Sequence, residues 1–116
     1  MKKLFILVSI LLLVGCSSDS GKINYMKAKE YMINNSALIV DVRTEEEYNE
    51  GHINGAILFT LDTINEENAA GIIGDKDKYV IVYCKSGKRS NEAYNMLKNL
   101  GYKNVYDLGS IDNWKE

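Results

Sequence analysis

The chain has 116 residues, enough for one domain of ordinary size and too few for a tandem pair once a leader is set aside. Its formal charge is -2, and would be more negative if Lys2 and Lys3 left with a leader, which argues against a nucleic-acid partner. It holds 2 cysteines and no proline, so no X-Pro isomer needs to be considered.

The first residues predict a leader. Lys2-Lys3 precede an apolar run over 4–14, about a dozen residues and short of the roughly twenty that a membrane span needs. The run closes on Leu13-Val14-Gly15-Cys16-Ser17-Ser18, which resembles a bacterial lipobox. That resemblance implies a lipoprotein signal over 1–15, a lipid anchor on Cys16 with a linker over 16–21, and a domain over 22–116. A diacylglyceryl group on Cys16 would supply the two chains that stable anchoring requires. The protein is then expected to be exported and tethered at the bacterial cell envelope, on the outer face of the cytoplasmic membrane or in the periplasm. An uncleaved helical anchor is the alternative. With Cys16 taken by lipid, Cys84 is left without a disulfide partner within the chain, and an oxidising compartment would then demand a reducing partner or a flux of persulfide.

Along the domain the hydrophobic period alternates between strand and helix. A strand edge at Ile23, a helix over 25–34, a strand over 37–42, a short helix over 45–49 and a strand over 56–60 come first. Thr44, with Glu47 three residues on, is a capping-box start for the short helix. A polar, helix-like stretch over 61–73 leads to a strand over 79–83, a helix over 90–100 stopped by Gly101, and a strand over 104–108. This order predicts an α/β fold with a mainly parallel sheet and helices on both faces. Ala93, Leu97 and Leu100 recur at helical spacing and should pack under the sheet, with Tyr94 and Met96 in the core or at its rim.

The chemistry gathers in Cys84-Lys85-Ser86-Gly87-Lys88-Arg89-Ser90. The preceding strand would deliver Cys84 to the carboxyl edge of the sheet, where sites of α/β domains collect. The following helix has first amides without intrahelical partners, and amides bent around Gly87 can form a nest for an anion. Lys85, Lys88 and Arg89 repel one another in so short a connection unless an anion offsets them. Such a setting favours a thiolate at Cys84. The plainer reading, a small apolar residue ending a core strand before a solvated turn, leaves the three cations unexplained. Cys84 is therefore the candidate nucleophile, with Lys85, Ser86, Gly87, Lys88, Arg89 and Ser90 as its anion-binding loop.

Two further motifs precede it, Asp41-Val42-Arg43 and Glu50-Gly51-His52-Ile53-Asn54-Gly55-Ala56, and Leu108-Gly109 with Trp114 follows. Together with Cys-x-x-Gly-x-Arg-Ser, in this order, they resemble a single rhodanese domain over about 23–114. Gly109-Ser110 departs from the paired glycines of many relatives. The resemblance implies a three-layer fold around a five-stranded sheet and a sulfurtransferase. In such an enzyme Cys84 would take a sulfane sulfur from a small anionic donor, thiosulfate or polysulfide, and pass it from a persulfide to a thiol or protein acceptor. It implies no cofactor or metal, and a monomer is expected. A non-catalytic persulfide carrier is the first alternative. A phosphatase or arsenate-handling enzyme is the second, disfavoured because Tyr83 precedes the cysteine and Arg89 arrives one residue early for an oxyanion cradle. Asp41 and Arg43, at the end of a strand, are expected as a supporting ion pair or loop anchor. His52 is expected to fix a turn through a backbone hydrogen bond rather than to act as acid or base.

Overall fold

The computed structural model of the protein describes residues 21–115; the expected leader, Cys16 and the expected linker up to residue 20 lie outside the described residues. Among the described residues four helices and four strands alternate: α1 Tyr25–Asn35, β1 Leu38–Asp41, α2 Glu45–Glu50, β2 Ile57–Leu58, α3 Glu66–Ile72, β3 Tyr79–Cys84, α4 Lys88–Asn99 and β4 Asn104–Ser110. Single 3-10 turns sit at Leu61–Thr63 and Ile111–Asn113. The sheet order is β2-β1-β3-β4 and every pairing is parallel. Where the sequence predicts a fifth strand at Ile23, a single parallel bridge from Lys22 to Asp107 extends the sheet beyond β4. Asn24 explains why that strand stops: its side chain accepts from the Lys27 amide and starts α1 at once.

Period two along β3 builds two cores from one strand. Val80, Val82 and Cys84 point to the layer of α3 and α4, where Ala69, Ala93, Tyr94 and Leu97 cover them. Ile81 and Tyr83 point to the other layer, against Ala28 of α1 and Ile53 and Ala56 of the connection after α2. All five of these β3 residues after Tyr79 are buried, as expected for a central parallel strand with both faces covered. The expected face of α4 holds: Ala93 and Leu97 have no exposure, Tyr94 is buried, and Met96 and Leu100 pack at the rim.

The register of β3 on β4 shifts between Val82 and Tyr83, so that Asp107 and Gly109 face consecutive β3 residues. Gly109 adopts a φ of 86° there, and its amide donates to Asp107 Oδ1 at 2.8 Å. Such irregularities bend a strand and gather beside functional edges. This one lies next to the end of β3 that carries Cys84.

Candidate functional site

Strand parity and helix start together fix the surroundings of Cys84. Its side chain leaves β3 on the α4 face, beneath the first turn of that helix. Gly87 makes the approach possible, because the chain reverses from strand to helix through a φ of 103° at this position. Its amide donates to Cys84 Sγ at 3.0 Å, and the Ser90 amide donates to the same sulfur at 3.2 Å. The Ser90 hydroxyl, in turn, donates to the Gly87 carbonyl at 3.2 Å and ties the turn to the helix. Among the described residues, the amides of Ser86, Lys88 and Arg89 meet no protein acceptor. Cys84 itself is 0% exposed.

Lys85, Ser86 and Lys88 are exposed, and among the described residues neither lysine has a carboxylate partner. Arg89 departs from the expectation that it faces a bound anion and water. Its Nη1 and Nη2 donate to Glu47 Oε1 and Oε2 at 2.8 and 3.1 Å, a two-pronged pair with α2. The reason is that α4 begins at Lys88 instead of residue 90, so Arg89 projects sideways from a helical turn. Glu47 is held by Arg89 first and then by the Thr44 amide, which lower its carboxyl to about 2. The same contact raises the Arg89 guanidinium. The capping box at Thr44 and Glu47 is present, so one carboxylate both caps α2 and holds the arginine.

Asp41 and Arg43 form a buried pair at the end of β1. Arg43 Nη2 donates to Asp41 Oδ2 at 2.7 Å, the Arg43 amide donates to Oδ1 at 2.9 Å, and Nη2 also reaches the Gly51 carbonyl at 2.7 Å. The Tyr83 hydroxyl donates to Asp41 Oδ2 at 2.7 Å and accepts from the Ile53 amide at 3.1 Å. Burial, followed by this bond to Asp41, raises the Tyr83 phenol. The network therefore ties the end of β1, the turn through Ile53 and the residue just before Cys84. His52 lies outside it, exposed, with Nδ1 donating to the Tyr48 carbonyl at 2.8 Å and its ring stacked on Tyr48 at 3.7 Å.

The rhodanese-like domain family matches residues 25–116. The chain belongs to the rhodanese-like family. Among curated relatives, the thiosulfate sulfurtransferase PspE of Escherichia coli is 36% identical over 72 residues, covering 62% of this chain and 68% of the relative. The thiosulfate sulfurtransferase GlpE of Coxiella burnetii is 33% identical over 95 residues, covering 81% of this chain and 86% of the relative. Among solved structures, a rhodanese with anions from E. coli superposes with a TM-score of 0.63 at 34% identity, covering 66% of this chain and 89% of that one. The rhodanese α/β fold, with its parallel sheet, is thus shown both by the architecture and by these likenesses.

Two functional features escape a reading of the sequence. Glu47 was visible as a helix cap but not as the partner of Arg89, 42 positions away. Tyr83 enters the sequence reading as a strand residue and as the neighbour that sets Cys84 apart from a phosphatase nucleophile, whereas its parity opposite Cys84 directs its hydroxyl to the Asp41 side.

Proposed function

We propose that the protein is a sulfurtransferase that moves a sulfane sulfur from a small anionic donor through a persulfide on Cys84 to a thiol or other nucleophilic acceptor. The observation that carries this reading is the pair of main-chain N–H groups, from Gly87 and Ser90, directed at the cysteine sulfur. Donors so placed favour a sulfur anion, and a thiolate attacks an electrophilic sulfur without a general base. With thiosulfate, the bond from Sγ to the outer sulfur forms while the S–S bond of the donor breaks, and sulfite leaves with the electron pair. Lys85 and Lys88 supply a positive field for the entering donor and for that leaving group. The amides of Ser86, Lys88 and Arg89 are available to the outer sulfur of the persulfide.

Cys84 has no exposure, and the turn that follows it at Lys85 and Ser86 is exposed. A phosphatase reading loses support from Arg89, since Glu47 engages the guanidinium that an oxyanion cradle would require. Purified full-length protein incubated with thiosulfate or polysulfide should gain one cyanide-releasable sulfur on Cys84, and Cys84→Ser should gain none. An unmodified Cys84 after incubation with both donors would contradict the proposal.

Export and lipidation at Cys16 are proposed alongside, on the strength of Lys2-Lys3, the apolar run over 4–14 and Gly15-Cys16-Ser17. A lipid there would hold the domain at the membrane surface of the cell envelope.

A further inference from the structure

The outer face of α1 carries apolar side chains where a solvated helix would be polar. Met26 and Ile33 are 71% and 75% exposed, the most exposed large hydrophobic residues among those described. Their spacing places both on one side of the helix, while Ala28, Tyr31 and Met32 pack toward the sheet. Lys29 and Glu30 lie between them. Lys27 Nζ holds the Glu30 carboxylate at 3.2 Å, whereas Lys29 has no carboxylate partner among the described residues. Its Nζ lies instead over the rings of Tyr25 and Trp114, at 5.9 and 5.5 Å, and those two rings meet edge to face at 4.9 Å. Lys115 is exposed, lines a groove of about 580 Å³ with Met26, and is likewise without a carboxylate partner among the described residues. Apolar side chains, an aromatic pair and unopposed cations thus share one patch of a chain whose formal charge is -2.

We propose that this face of α1 rests on an anionic lipid surface, with Met26 and Ile33 entering the interface and Lys29 and Lys115 among the headgroups. The inference goes beyond sulfur transfer and rests on the lipidation proposed at Cys16. The chain outside the described residues favours a bilayer as the occupant, because the stretch from Cys16 to Gly21 spans only about 18 Å when fully extended. That leash ends at a fixed point: the Asp107 amide donates to the Gly21 carbonyl at 2.7 Å, and the Ile23 amide donates to the Asp107 carbonyl at 3.0 Å. Asn24 then caps α1, so the patch is the first helical surface after the leash. Lysines are drawn to anionic lipid, and tryptophan and tyrosine favour the headgroup level. Docking also sets an orientation. α1 packs on one layer of the sheet and Cys84 points to the other, so the loop bearing Lys85 and Lys88 faces away from the lipid and stays open to soluble anions.

Trp114 is the only tryptophan and reports on the patch. The test inserts full-length lipidated protein, through its lipid, into phosphatidylcholine vesicles with or without phosphatidylglycerol, with a nitroxide carried on a fraction of the headgroups. Trp114 emission should fall about two-fold on the anionic vesicles, and by much less on neutral ones or at about 1 M salt. Met26→Ser with Ile33→Ser should remove most of the quenching while the protein stays with the vesicles. A water-soluble acylating reagent should modify Lys85 and Lys88 equally on vesicles and in detergent. Quenching that survives in the double variant, quenching absent from the tethered wild type, or protection of Lys85 and Lys88 by lipid would overturn the docked orientation alone. Lys29 protected only at high protein density, without quenching, would assign the face to a second copy and overturn it equally. A wild type whose Cys16 carries no lipid would overturn the lipidation reading and this one with it.

Discussion

Cys84 and Tyr83 are chain neighbours whose side chains leave β3 on opposite faces, and each meets a different set of polar groups. The sulfur receives one amide from Gly87 of the loop and one from Ser90 in the first turn of α4, whereas the phenol joins Asp41, Arg43 and the Ile53 amide on the other face. Tyr83→Phe leaves the Ile53 amide without its acceptor and removes one donor from Asp41, at a cost of about 1–3 kcal/mol. Because the folded phenol is raised, its contribution is complete below the ordinary value of 10.0 and fades as pH rises above it. Unfolding curves across alkaline pH should therefore fall more steeply in the wild type than in Tyr83→Phe. Glu47 has the reverse sign. Its depressed carboxyl contributes stability above the ordinary value of 4.5 that is lost as pH falls toward about 2. Acid titration of stability should show this loss in the wild type and a flatter profile in Glu47→Gln. Arg89→Ala should flatten the same window and cost about 1 kcal/mol at neutral pH, because a two-pronged pair at the rim of the site is lost.

At the level of elements, α4 does two jobs with two ends. Its first turn presents the Ser90 amide to Cys84, and its middle buries Ala93 and Leu97 on the sheet. Leu97→Ala removes a side chain with no exposure and should lower stability by about 2–5 kcal/mol, read by denaturant unfolding. Gly87→Ala is different in kind. An added Cβ would meet Gly109 Cα at 3.9 Å, an ordinary contact, but the left-handed backbone at φ 103° would be strained by about 1–2 kcal/mol. The expected outcome is a modest loss of Tm with a larger loss in the rate of sulfur loading, since the strained turn carries an amide that holds Sγ. A fall in Tm with loading unchanged would separate the turn from the chemistry.

Across the whole molecule, what could be read in the sequence is what local pattern controls. The all-buried run of β3, the capping box at Thr44 and Glu47, and the spacing of Ala93 and Leu97 each follow from a few adjacent residues. Features set by distant partners could not be read that way. Lys88 and Arg89 look like loop because they are charged, yet α4 already includes them, and Glu47 arrives from another element to neutralise Arg89. The strand expected over 56–60 pairs only at Ile57–Leu58, because beyond it the chain bends into the 3-10 turn at Leu61–Thr63. The polar stretch over 61–73 divides at Asn65, whose side chain accepts from the Asn68 amide and restarts the chain as α3.

The proposed tether at Cys16 belongs to the same scale. Cys16→Ser should move the protein from the membrane fraction to the soluble fraction while its capacity to load sulfur on Cys84 persists. Retention in membranes after washing at high salt would contradict lipidation at that position.

The most direct test of the account is the intact mass of the full-length protein after brief exposure to thiosulfate, with peptide mapping to locate the added atom. The account requires one additional sulfur on Cys84, released by cyanide and absent from Cys84→Ser. A protein that keeps its fold, keeps its free thiol and gains no sulfur from thiosulfate or from polysulfide would contradict it.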